Sequence, residues 1–176
     1  MGVHSVLISD EAEVISHPFA SNFDEVRAIP APEIEESAEL IEETQLARLF
    51  AEAAGWVDDF TGRTSDGDRP FLLWVHSQGM QGPWDAPYSL RAQYADEDDP
   101  QPPDWAAAPN RMLPKEFEPD ELLGIMHAYA GQVSLLDTCL GAFYQRLHEL
   151  PKWDQTLLAI LSARGFPLGD HRRVGA

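Results

Sequence analysis

One cysteine, Cys139, is all the thiol that this chain carries, and the scarcity excludes several functions at once. A lone cysteine closes no internal disulfide, and without a CxxC pair there is neither a zinc knuckle nor a dithiol redox motif. Its place in a helical pattern makes it a small core residue. Basic residues are scarce too: 12 Lys+Arg stand against 30 Asp+Glu, a formal net charge of −18. A surface of that sign repels phosphate backbones and anionic headgroups, so nucleic-acid and membrane-surface partners are excluded. No apolar run approaches the ~20 residues that span a bilayer. The opening MGVHSVLISDEAEV lacks the basic region and long apolar stretch of a secretion signal, so it reads as no signal peptide and a cytoplasmic location by default. Gly2 is followed by Val3-His4-Ser5-Val6, which is no myristoylation motif.

What is present suits one compact domain over residues 1–176, since 44% hydrophobic residues suffice for a core but not for two ordinary domains. Three continuous apolar runs, Val3 to Ile8, Phe71 to Val75 and Thr156 to Leu161, have the pattern of parallel strands covered on both faces. A helix is predicted within Ala38 to Phe60, where Leu46, Leu49, Phe50, Ala53, Val57 and Phe60 recur at threes and fours before Gly62. A second opens at Pro119-Asp120-Glu121, with Leu122, Met126, Tyr129, Val133, Leu136, Leu140, Phe143 and Leu147 as its apolar stripe. That stripe packs on the sheet or forms an assembly seam. Residues 95–119 read as a proline-rich acidic surface loop: Asp96-Glu97-Asp98-Asp99 leads into Pro100, Pro102, Pro103, Pro109 and Pro114, with no EF-hand spacing.

Strand, helix, strand, loop, helix, strand implies an α/β sandwich with a mostly parallel sheet flanked by helices. Ligands of such sheets sit beyond the carboxyl ends of the strands. The addresses to inspect are Ser9-Asp10-Glu11, His76 to Pro87, and Ser162 to His171.

RPFLLWVHSQGMQGPWDAP and WDQTLLAILSARGFPLGDH, in that order, resemble two stretches of the sulfatases, members of the alkaline phosphatase superfamily. The segment HAYAGQVSLLDTCLGAFYQRLHELPKWDQTLL between them resembles the family's tyrosine-bearing helix and the strand that follows it. The resemblance covers Leu46 to His171, with a further match in Gly2 to Asp24, and implies an incomplete alkaline-phosphatase-like fold. It also implies a list of losses. The family's Pro-His-x-Pro histidine falls on Gln81, which cannot relay a proton near neutral pH as imidazole does. Its Ser-Asp-His-Gly metal ligands fall on Ala163 and Arg164, one without an oxygen and the other a permanent cation, so the family calcium site reads as lost and no cofactor is expected in this chain. Where the family has Gly-Lys-Trp-His, this chain has Ile8-Ser9-Asp10-Glu11. The formylglycine nucleophile motif, its neighbouring metal aspartates and a later substrate lysine have no counterpart. Cys139, followed by Leu140-Gly141-Ala142-Phe143, does not fit the first of these.

The reading is therefore a degenerate, noncatalytic homologue or segment of a sulfuric ester hydrolase. One alternative is an active sulfatase completed by residues outside the chain. Another is an anion-binding or assembly module in which Arg164, His171 and Arg172 hold a sulfated or otherwise anionic small molecule. A homo-oligomer or a missing chain half are the protein partners this leaves open. Trp84 and Tyr88 are read as loop packing on the sheet, with sugar stacking as the alternative.

Overall fold

The computed structural model describes residues 2–31, 33–62, 69–151, 153–162 and 164–175. Strand β1 (His4–Ser9) lies at the centre of a three-stranded parallel sheet, between β2 (Glu25–Ala28) and β3 (Phe71–His76). The register pairs Val6 with Leu73 and Ile8 with Val75, so these side chains share one face. Against that face pack α2 (Gln45–Gly62) and α4 (Pro119–His148), burying Leu49, Ala53, Trp56, Val57, Phe60, Phe143 and Leu147. The opposite face is covered more thinly, by α1 (Ala12–Ser16) and the turn Pro18–Asn22, and it leaves Leu72 and Trp74 of β3 about half exposed.

The fold is α/β with a parallel sheet flanked by helices, as the sequence implies, but the membership of the sheet differs. Among the described residues Thr156 to Leu161 form no strand. None of the described backbone hydrogen bonds involves residues 157–161, and the third strand of the sheet is Glu25–Ala28. The missed strand is a short, charged edge whose side chains are held by ion pairs. Glu25 accepts from Trp56 Nε1 at 2.9 Å, and Arg27 bridges Glu25 at 2.7 Å and Glu52 at 2.5 Å. An edge strand with one wet side carries no continuous apolar signal.

Helix α2 begins at Gln45, not at Ala38, because the buried Asp85 carboxylate accepts from Gln45 N–H at 2.5 Å and fixes the first turn there. Helix α4 begins at Pro119 as read, and Phe143 and Leu147 of the predicted stripe are buried, but over the preceding turns the buried line is Ile125, Ala128, Leu135 and Cys139, each one residue before a predicted position, and Met126 and Val133 lie exposed. Close packing sets that rotation. At Gly131 the helix approaches α3 (Tyr88–Ala92) so nearly that a Cβ would stand 2.9 Å from the Arg91 backbone.

The 95–118 excursion contains no helix, yet it is not wholly superficial. Ala106 and Leu113 are buried, β4 (Arg111–Met112) pairs antiparallel with β5 (Arg173–Val174), and Trp105 bridges to Glu36. Pro119, the last residue of the predicted loop, belongs to α4. No described helix is long and apolar enough to cross a membrane.

Candidate functional site

Three chain segments converge at the carboxyl ends of β1 and β3. Asp10, just past β1, accepts from Gln78 N–H at 2.8 Å and through its backbone carbonyl from Gln78 Nε2 at 2.5 Å. Glu11 meets His76 Nε2 at 2.8 Å on one oxygen and Arg164 Nη2 at 3.1 Å on the other. Arg164 Nη1 also donates to Gln81 Oε1 at 2.5 Å. The turn that presents Gln78 and Gln81 passes through Gly79 at φ +58, a left-handed conformation that a glycine adopts without cost. Glu11, Glu13, Gln78, Gln81 and Arg164 line a cleft of about 340 Å³.

Two adjacent carboxyl groups thus hold opposite electrostatic positions. Burial raises the Asp10 pKa above the usual carboxylate value and outweighs its backbone hydrogen bond from Gln78. Burial pushes Glu11 upward too, but the hydrogen bonds and charges of His76 and Arg164 prevail, and its pKa falls below the ordinary value. Glu11 therefore adds stability above its unfolded pKa, and this is lost as pH falls through the lower folded value. Asp10 does the reverse: its contribution is full at low pH and lost as pH rises through its elevated folded value. Glu11→Gln should cost about 1 kcal/mol near neutral pH, where a hydrogen-bonded ion pair at the rim of the sheet is removed. Urea unfolding at pH 7 and pH 3 checks this, because the penalty should shrink in acid; an equal penalty at both values would show that the Glu11 charge is idle.

The three strand-end addresses meet, but not all the candidate residues do. Gln81 and Arg164 are in direct contact. Ala163 lies outside the described residues. His171 and Arg172 occupy the turn before β5, both at positive φ (51 and 64), where Arg172 Nη1 donates to the Leu113 carbonyl at 3.3 Å. Among the described residues no contact joins them to Arg164. Trp84 is fully buried, its ring among Trp105, Tyr129 and Phe166 and its Nε1 on the Met80 carbonyl at 2.9 Å. It packs the loop and offers no face to a sugar. Cys139 is buried as well, and burial pushes its thiol up to about 11, so it is protonated and unreactive at neutral pH.

The sequence reading missed Gln78, whose side chain and backbone tie the β3 exit to the β1 exit, and Arg91. The latter guanidinium is fully buried and donates to the carbonyls of Trp84, Ala86, Pro103 and Trp105. An arginine so deep breaks the surface prior for its type, and only the surrounding proline-rich excursion, short of backbone partners, hinted at a need for donors.

The sequence model of the Sulfatase family matches residues 9–175, nearly the whole chain and every residue of this strand-end cluster. The chain belongs to the sulfatase family. A curated relative, the "Multifunctional alkaline phosphatase superfamily protein PehA" of Trinickia caryophylli, is 27% identical over 131 residues. That match covers 61% of this chain and 26% of the relative, so the chain spans about a quarter of the length of the protein it resembles. Family membership carries a relation to hydrolases of the alkaline phosphatase type, and it accounts for the meeting of three sequence-distant segments at one end of a parallel sheet.

Proposed function

We propose that this chain is a noncatalytic sulfatase homologue whose strand-end site is closed by a cation of its own. The observation that carries the reading is the Arg164 guanidinium seated on Glu11 and Gln81. A divalent cation needs several hard oxygens and no competing positive charge. Here the carboxylate nearest the site is already neutralised by Arg164, and among the described residues no group of three His, Cys, Asp or Glu side chains is placed to hold a metal. The donor set does not suit the family's calcium. Proton relay lacks the family's histidine, because Gln81 at that position has no titrating group. The single thiol is buried and protonated, which leaves no activated sulfur nucleophile.

Anion capture is the weaker reading. The cleft sets Glu11 and Glu13 against one guanidinium, and Arg172 donates to the Leu113 carbonyl in the turn before β5 that also carries His171. A sulfated ligand at Arg164 would meet a guanidinium whose charge Glu11 already balances.

The test is turnover of an aryl sulfate by the 176-residue protein with and without added calcium. The expected rate equals the blank in both conditions and in Arg164→Ala. Hydrolysis that depends on calcium and is reduced in Glu11→Gln would overturn the proposal.

A further inference from the structure

The outward face of α4 is nearly free of charge in a protein that carries it almost everywhere else. From Leu122 to Gln145 the helix has one charged side chain, Asp137, whereas 24% of the whole chain is charged. α2 shows how this protein clothes a helix face that meets water, with Arg48, Asp58 and Asp59 exposed there. On α4 the outward positions are apolar. Leu123, Met126, Ala130, Val133, Leu140 and Tyr144 follow one another at threes and fours, with Asp137 filling the one gap. Helix geometry stacks residues so spaced into a single stripe.

The other sides of the helix are already covered. Its core line is Ile125, Ala128, Leu135 and Cys139. A second line meets the 91–101 stretch: Gly131 lies against the Arg91 backbone, an added Cβ at Gly124 would stand 3.4 Å from the Gln101 carbonyl oxygen, and the Ser134 hydroxyl meets Tyr94. The stripe is what remains. Met126, Val133 and Tyr144 are 42%, 40% and 45% exposed, the other three apolar members are half-buried, and none of the six belongs to the core clusters of the described residues. A helix that is apolar on every side is built to be buried on every side.

We infer that the stripe is the contact face of a two-fold dimer, in which a second copy of this chain lays its own α4 antiparallel across it. Three observations select that occupant and that direction. Spacing at threes and fours is the seam of a helix pair, and a stripe of this kind is complementary to itself under a two-fold axis. Asp137 fixes the orientation: a parallel pair would set the two carboxylates side by side, while an antiparallel crossing about the middle of the helix sets each against an apolar position of the other copy. The ends are complementary too, since the antiparallel arrangement brings the first turn of one helix, with Asp120 and Glu121, over the last turn of the other, with Arg146 and His148. From Leu123 to Tyr144 the seam is about 30 Å long, so a pair buries on the order of 1,000 Å², the low end of specific interfaces. Each copy also brings a net charge of −18, which opposes the pair until salt screens it. The inference is separate from the noncatalytic reading: molecular mass judges the one and turnover the other, so either can fail alone.

Sedimentation of the 176-residue protein is the test. In about 300 mM salt, where the screening length is only a few ångströms, dimer should be half-formed at on the order of 10–100 μM protein, and about tenfold more protein should be needed at ~20 mM salt. Val133→Lys, on the seam, should weaken the dimer at least tenfold with the unfolding temperature of the dilute protein unchanged. Thr138→Lys makes the same change of charge at an exposed position of α4 off the seam, and should leave the dimer within about twofold. A nitroxide on Gln145→Cys, the buried Cys139 being spared, should give a label-to-label distance of about 30–40 Å in the antiparallel dimer, where a parallel one gives under about 20 Å. The inference is overturned if the protein stays monomeric at millimolar concentration in high salt, which would leave the stripe to another part of a longer polypeptide. It is equally overturned by a dimer indifferent to Val133→Lys, by equal losses in Val133→Lys and Thr138→Lys, or by the short label distance.

Discussion

Arg91→Met should unfold the protein more readily by about 3–5 kcal/mol, the cost of removing one member of a buried, hydrogen-bonded charge network. The wild-type guanidinium is fully buried and donates to four carbonyls drawn from two segments, Trp84 and Ala86 before it, Pro103 and Trp105 after it. Burial lowers its pKa, against the charges of Asp104 and Asp85, so this cation is held at an expense that its hydrogen bonds offset. Methionine fills a similar volume but returns nothing to those carbonyls. The excursion that follows α3 should then lift, and limited proteolysis should cut between residues 95 and 117 before any other site. Arg91→Lys should recover only part of the loss, because an ammonium has three donors where the guanidinium serves four carbonyls. A denaturation midpoint unchanged in Arg91→Met would show that the excursion is held by Trp105 and Leu113 packing instead.

The second large effect belongs to Trp84. Truncation to alanine should cost about 3–5 kcal/mol, as is usual for a buried aromatic side chain. The ring has Trp105 at 5.8 Å, Tyr129 at 5.9 Å and Phe166 at 5.3 Å between centroids, so it joins the loop after β3, the excursion, α4 and the segment leading away from Arg164. The loss should therefore reach the strand-end site. With Phe166 unsupported, the Arg164 contact with Gln81 should loosen, and the Arg164 side-chain resonances should sharpen and lose their slow exchange. Trp84→Phe, which keeps most of the volume but drops the donor to Met80, should sit between the two at about 1–2 kcal/mol. Urea midpoints of the three proteins place them in order; a Trp84→Phe as damaging as Trp84→Ala would give the whole effect to the lost hydrogen bond.

Much of this arrangement was legible in the sequence because it rests on patterns that are local. β1 and β3 are continuous apolar runs, α4 is opened by Pro119 and two acids, and the addresses beyond the strands converge in Glu11, Gln81 and Arg164. What failed depends on partners. Residues 157–161 have every local property of a buried strand, but a strand exists only where another backbone supplies its bonds, and none of the described backbone hydrogen bonds reaches them. β2 has the reverse history: Glu25-Val-Arg-Ala has no continuous apolar signal, and it is held by its register on β1 and by the Arg27 ion pair with Glu52 of α2. In α4 the stripe at threes and fours holds at Phe143 and Leu147, which join the sheet core, but over the earlier turns the buried line is Ile125, Ala128 and Leu135. Gly124, Ala128 and Gly131 let the neighbouring chain approach, and small residues do not register as hydrophobic pattern. Arg91 was invisible for a related reason, since its burial follows from carbonyls that the prolines Pro100, Pro102 and Pro103 leave without backbone partners.

The excess of acid assumes a further role beside the bare β3 edge and the oily run at 157–161. In a neutral protein such surfaces would seed self-association, but a charge of −18 keeps like molecules apart at a distance set by the ionic atmosphere. Colloidal behaviour and folding are therefore governed by different parts of the same sequence: salt, or acidity near the isoelectric value of about 4.4, removes the repulsion while leaving the core untouched.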